Sequence, residues 1–212
     1  MAATVPLINR SAGDLLTTTL WNTYVVANVN KLLNQAHRKV TVAQFAALTG
    51  IEDGDEVYLE VDAANGIEWH LVYRTAEATY KWRFLGGPPM SSEVATSENT
   101  TSVTYAALAT AGPSITLPRA GDYQVELGCY LVVASAAAAY HSYDIGGTGA
   151  GDVDSVRSSM TSSGQGSSNF RRKLKAALSA VALVSKYRVS AGTAAPESRR
   201  FAVTPVRLRH DA

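Results

Sequence analysis

Apolar residues recur at every second position in three stretches of the middle of the chain, 57–61, 67–73 and 80–84. An Asn-Gly pair, a typical hairpin turn, separates the first two stretches. A period of two is that of a β-strand with one buried face, so we predict a three-stranded antiparallel meander. Trp69 and Trp82 are predicted to pack together on its apolar face. Three strands cannot bury such a face alone, and we expect either a helix or neighbouring copies to cover it.

Before the meander, apolar residues recur at a longer, helical spacing, which predicts a helix. Leu20, Trp21, Val25, Val29 and Leu32 form a narrow apolar stripe with the spacing of a helical face. A helix this short is only marginally stable alone in water, so it needs something to lie against. We therefore predict that these five residues form an attachment arm that binds a partner, with Trp21 as the anchor.

The second half of the chain alternates again, in stretches separated by small-residue turns. Every second residue from 123 to 133 is apolar. A similar alternation near the end of the chain shifts by one position at Pro205. About eight strands at this spacing predict a β-sandwich or jelly roll. We expect a mainly β chain with four parts. They are an N-terminal helical arm over 1–40, a small β-meander over 41–90, a Ser/Thr/Glu-rich linker over 91–101, and a jelly-roll-like β-sandwich over 102–212.

Charge and composition narrow the function classes. The net charge of +1 comes from an acidic meander region between two basic regions, not from one concentrated basic face, so we expect no nucleic-acid role. No apolar run approaches the roughly 20 residues of a membrane span, and the first ten residues do not resemble a signal peptide. Cys129 is the single cysteine, which excludes an intrachain disulfide and favours a reducing cytoplasm.

Motifs that carry chemistry are not found in the sequence. The four histidines do not have metal-ligand spacing, and there is no HExxH or CxxC motif. The glycine-rich stretch 146–151 lacks the lysine of a phosphate-binding loop and is expected to be a loop at one end of the sandwich. Asp144, Asp152 and Asp154 leave a calcium site as a weaker alternative. We expect no enzyme activity and no cofactor.

Two groups of residues are candidates for surface binding. Tyr140 and Tyr143 flank the glycine-rich loop, where their rings could stack on a sugar. Arg171, Arg172 and Lys173 begin the densest basic run. Alternating basic residues protect an exposed sheet edge from aggregation, and arginines are common between subunits, so we favour an edge or an interface. Contact with nucleic acid or lipopolysaccharide is the alternative.

Three stretches resemble parts of known proteins. TLWNT at 19–23 is similar to the N-terminal arm of many phage virion proteins. NGIEWHL at 65–71 and YKWRFLGG at 80–87 resemble a small module of phage minor structural and fibre-like proteins. ITLP at 115–118 with GDYQV at 121–125 resembles the strand-turn-strand of trimeric jelly rolls of the complement-head and tumour-necrosis-factor kind.

The resemblance implies a structural component of a bacteriophage virion, assembled in the host cytoplasm. We expect a homo-oligomer, a trimer, that attaches to other virion proteins through its N-terminal arm. A minor tail or fibre protein and a head decoration both remain open. The alternative function is a host-receptor or carbohydrate-binding module of the virion that binds a host surface glycan.

Overall fold

The structure is a computed structural model that describes residues 19, 21–26, 29, 38–133, 137–159 and 165–209. The chain divides into two compact units, one extending to Gly87 and the other running from Pro88 to Leu208. Each unit is built mainly from β-strands. Among the described residues, no helix has the length and apolarity needed to cross a membrane.

The described part of the predicted arm is one short helical segment. Trp21–Val26 forms a π-helix, in which Val25 is partly buried. Trp21 and Val29 are each 46% exposed. Leu20 and Leu32 lie outside the described residues, so the partner-binding stripe stays a prediction.

The first unit contains the predicted antiparallel meander. Its strands are β2 (Glu56–Asp62), β3 (Ile67–Tyr73) and β4 (Trp82–Gly86). A further strand, β1 (Lys39–Thr41), pairs with β2 in parallel and was not predicted. Three residues are too few for a two-residue period to be visible in the sequence.

The apolar face of the meander is covered by the chain itself. Helix α1 (Val42–Ala46) begins with a capping box between Thr41 and Gln44. This helix carries Phe45, which is fully buried and packs its ring 5.2 Å from that of Trp82. Trp69 is also fully buried. Of the two covers expected from the sequence, a helix or neighbouring copies, the described structure shows the helix of the same chain.

The described residues of the second unit form eight strands. They are β5 (Met90–Val94), β6 (Ser114–Thr116), β7 (Gly121–Val133), β8 (Ala138–Ile145), β9 (Val156–Ser159), β10 (Gln165–Leu178), β11 (Ala182–Val189) and β12 (Ala194–Leu208). One sheet has the order β5–β12–β7–β10, and the other has the order β6–β11–β8–β9. If the strands are counted from the start of the unit, the first sheet has the order 1-8-3-6. The second sheet has the order 2-7-4-5. That arrangement is an eight-stranded jelly roll, which confirms the predicted sandwich.

The core of the jelly roll lies between its two sheets. Every second residue of β7, from Tyr123 to Val133, is buried, as the sequence phase predicted. Cys129 belongs to this phase, and burial raises the pKa of its thiol to about 12. It therefore packs as a small hydrophobic residue and is not a reactive thiol.

The segment predicted to be a linker, 91–101, is part of the jelly roll. Strand β5 pairs with β12, and Thr100 bridges to Ala194. The sequence hid this strand because its exposed positions are serine and glutamate and its partly buried ones include Ser92. A small polar residue on a partly buried strand gives no apolar period.

Candidate functional site

The structure separates the two tyrosines that were predicted to stack on a sugar. Both lie in β8, but a spacing of three residues places them on opposite faces of a strand. Tyr143 is only 3% exposed, and its ring packs 5.3 Å from that of Phe201 in the core. The prediction of a surface role for Tyr143 is therefore wrong, and the spacing already contained the reason.

Tyr140 lies on the outer face of β8, where an arginine covers its ring. The guanidinium carbon of Arg188 is 3.7 Å from the ring centroid, and that of Arg157 is 5.5 Å away. Arg188 also donates two hydrogen bonds to Asp152, at 3.1 and 2.7 Å. Tyr105 donates a third to the same carboxylate, at 2.7 Å. One side of the Tyr140 ring is already covered by Arg188. The cluster therefore joins parts of the same chain, and this side of the ring is not free for a ligand.

The predicted basic run lies in β10, at the edge of its sheet in the described part of the chain. Arg171 donates to a backbone carbonyl at 2.8 Å, and Lys173 donates to Asp154 at 2.7 Å. Arg172 forms an ion pair with Glu126. The three predicted residues therefore have partners within the chain. This fits the edge of a sheet better than a basic surface that binds a polyanion.

The two sheets are tied together by a short turn. Asp152–Asp154 is a 3-10 helical turn whose first acid binds Arg188 of β11. Its last acid accepts hydrogen bonds from Lys173 and Lys175 of β10, at 2.7 and 2.6 Å. Burial alone would raise the pKa of Asp154, but these two ammonium groups outweigh it and lower the pKa. The turn thus links one sheet to the other through charge.

The same ion pairs bear on the calcium alternative. Asp144 lies 3.2 Å from Lys186, so each of the three acids in the proposed set has a basic partner. In the part of the chain that the structure describes, no three metal-binding side chains come together. The acids therefore act as anchors for basic side chains.

A polar cluster that the sequence did not reveal lies between the sheets. His141 is fully buried, with its Nε2 3.0 Å from the hydroxyl of Ser185 and its ring stacked 4.7 Å from that of Tyr187. Arg199 is also fully buried, 5.6 Å from the Tyr187 ring. Burial, and then the charge of Arg199, lower the pKa of His141 to about 3, so its ring is neutral at physiological pH.

A β-bulge in β12 puts Arg199 into the core. Between the Glu197–Tyr130 and Arg200–Gly128 pairs, β12 has two residues, Ser198 and Arg199, where β7 has only Cys129, so one residue is inserted. Ser198 has a φ of 47°, in the left-handed region. An inserted residue shifts the strand's phase, which points Arg199 inward.

The outer face beside this bulge contains a shallow hollow of about 510 Å³. Its lining includes Gly128, Tyr130, Ser168, Glu197 and Ser198. Phe170, the residue paired with Gly128 in β10, is 64% exposed. Hydroxyl, carboxylate and aromatic groups therefore lie around one shallow, open part of the surface.

The first unit has a smaller pocket, of about 180 Å³. Leu48, Val57 and Trp82 line it together with acidic residues that include Glu56. The Glu56 carboxylate is 2.7 Å from Nε2 of His70, whose ring stacks on Tyr58. His70 is therefore a partly exposed residue that is hydrogen-bonded within the first unit.

Comparison with known proteins finds no matching family model and no matching curated protein. Among solved structures, the Eiger TNF of S. frugiperda is 12% identical, with a TM-score of 0.41, over 59% of this chain and 95% of that chain. The enzymatically active domain of bacteriophage CBA120 tailspike protein 4 is 14% identical, with a TM-score of 0.28, over 55% of this chain but only 19% of the tailspike. TmCBM61 in complex with β-1,4-galactotriose is 12% identical, with a TM-score of 0.27, over 56% of this chain and 88% of that chain. The strand order, and not these distant likenesses, establishes the jelly roll.

Proposed function

We propose that this chain is a non-enzymatic structural component of a bacteriophage virion. It forms a trimeric appendage, assembled in the host cytoplasm, that attaches to other virion proteins by its N-terminal arm. A tail fibre, a minor tail protein and a head decoration all fit this description. The jelly-roll strand order and the phage-like sequence stretches support the proposal.

The observation that carries the proposal is the exposure of the arm. Trp21 is 46% exposed, whereas the other two tryptophans, Trp69 and Trp82, are at most 1% exposed. Leaving an indole in water forgoes the free energy of burying a large apolar ring. A partner that covers Trp21 recovers that free energy, which makes this residue the expected anchor.

Incorporation of tagged protein into particles tests the proposal. Trp21→Ala should reduce the amount per particle by roughly tenfold or more, because truncating an interface anchor costs about 2 kcal/mol. Val103→Ala removes another exposed apolar side chain, 61% exposed, from the jelly-roll unit and should incorporate normally. Labelling the tag on intact particles locates the protein on the head or the tail. Normal incorporation of Trp21→Ala would contradict the attachment role.

A second candidate function is binding of a host surface glycan. The observation that favours it is the hollow beside the bulge of β12, where Phe170 is exposed next to hydroxyl and carboxylate side chains. The tyrosines first considered for this role do not form such a surface. The two candidate functions are compatible, because a virion appendage can also bind the host.

A further inference from the structure

We propose that the hollow on the outer face of β7, β10 and β12 binds one neutral sugar unit. The proposal rests on the second candidate function and does not depend on the virion role. It gives the glycan-binding function a site on the opposite sheet from Tyr140, the residue that the sequence suggested.

Two neighbouring rows of the sheet contribute to the hollow or flank it. In the first row Gly128 lies between Phe170 and Arg200. A Cβ built on this glycine would lie 3.9 Å from Cδ2 of Phe170 and 3.7 Å from Cβ of Arg200, so the floor is bare backbone between two long side chains. In the second row Tyr130 lies between Ser168 and Glu197. Paired residues project to the same side of a sheet, so Phe170 and Arg200 stand beside the hollow that the second row helps to line.

The chemistry of this area matches a sugar ring. Phe170 offers an exposed ring for the apolar C–H face of a pyranose. Among the described residues, the Glu197 carboxylate has no hydrogen-bond or ion-pair partner, so it can accept hydrogen bonds from two sugar hydroxyls. The Arg200 guanidinium can donate to a third. Because an acid and a base border the hollow together, a neutral, hydroxyl-rich ligand fits better than a charged one.

The walls of the hollow are fixed before any ligand arrives. A Cβ on Gly166 would overlap the hydroxyl of Tyr130, which shows that the tyrosine ring lies closely over that glycine. Ser198 holds a backbone conformation that non-glycine residues seldom adopt, as part of the bulge. Such strained residues are concentrated at binding sites, and a rigid site loses little entropy on binding.

The test uses the full chain and a panel of methyl glycosides of glucose, galactose, mannose and N-acetylglucosamine, followed by saturation-transfer NMR. At least one should bind with a Kd of about 1 mM, as expected for a single small ring. Phe170→Ala and Glu197→Gln should each weaken binding by at least about fivefold. Leu174→Ala is the matched control because it is on the same strand and face as Phe170, is 57% exposed, and lies outside the hollow. It should bind like the unaltered chain.

The outcomes separate the site from the function. Loss of binding in Tyr140→Ala but not in Phe170→Ala would overturn the site while leaving glycan binding intact. Failure of the unaltered chain to bind any member of the panel would overturn both. If Phe170→Ala and Leu174→Ala both lower the oligomeric mass without changing sugar binding, this face is a contact between copies, and the proposal fails.

Discussion

At the scale of single residues, the jelly-roll core contains two groups that are costly to bury. Arg199 makes two weak contacts there, each 3.4 Å, from Nη1 to backbone carbonyls. Its Nε and Nη2 have no acceptor among the described residues. The histidine beside it avoids a second buried charge by staying neutral. A buried cation of this kind lowers the stability of the fold unless something else repays its desolvation.

His141 makes the stability of the jelly roll depend on pH. Its pKa is about 3 in the folded protein, below the ordinary 6.5, so the unfolded chain takes up a proton first as the pH falls. The free energy of unfolding should therefore decrease below pH 6.5, by at most about 1.4 kcal/mol per pH unit. His141→Phe keeps a ring against Tyr187 but cannot titrate. It should be less stable at pH 7, by about 1–3 kcal/mol, because Ser185 loses its partner.

Urea unfolding at pH 6.5 and pH 5 measures this effect. Carboxylates with lowered pKa values, such as Asp154, contribute mainly at more acidic pH, so the difference between the unaltered chain and His141→Phe in this window reports on His141. Equal pH slopes for the unaltered chain and His141→Phe would contradict the assignment.

At the scale of elements, the strands that could be predicted are those with long apolar phases. The meander strands and β7 were visible because their buried positions are large and apolar. Strands β1 and β5 were missed, one because it is too short and the other because it contains serine and glutamate. Arg199 was missed because a bulge moves the strand's phase by one residue, which no local pattern announces.

The turn Asp152–Asp154 gives a matched pair of tests at this scale. Asp154 is 11% exposed and holds two lysines, whereas Asp152 is 59% exposed and holds one arginine. Water screens the exposed pair, so Asp152→Asn should cost less than about 1 kcal/mol of unfolding free energy. Asp154→Asn should cost more, about 1–2 kcal/mol, because it removes the negative charge that two partly buried ammonium groups face and turns one of their two acceptor oxygens into a donor.

Urea unfolding at pH 7 measures both losses in full. The lowered pKa of Asp154 means that its contribution is complete above about pH 4 and disappears only as the pH falls further. High salt should reduce the effect of Asp152→Asn more than that of Asp154→Asn. A larger cost for the exposed acid would show that the turn is not anchored mainly through Asp154.

At the scale of the whole molecule, the sequence indicated the jelly roll correctly, whereas one of its two arguments for a homo-oligomer does not hold. The meander was expected to need a helix or a neighbouring copy, and Phe45 of helix α1 is buried against it within the same chain. Helix α1 is only about one turn long, but it covers the apolar face of the meander, because one aromatic ring fills much of the face of so small a sheet. The remaining argument for an oligomer is the exposed arm, with Trp21 and Val29.

The arm is therefore expected to determine the oligomeric state. Light scattering on the full chain should give three times the chain mass of 22.5 kDa, and Trp21→Ala/Val29→Ala should shift it towards a single chain mass. Val103→Ala/Val153→Ala removes two side chains that are even more exposed, 61% and 67%, from the jelly-roll unit, and should stay trimeric. If the unaltered chain has a single chain mass over a wide concentration range, Trp21 has no partner in another copy. The arm would then have to bind a different virion protein, and self-association would no longer be part of its function.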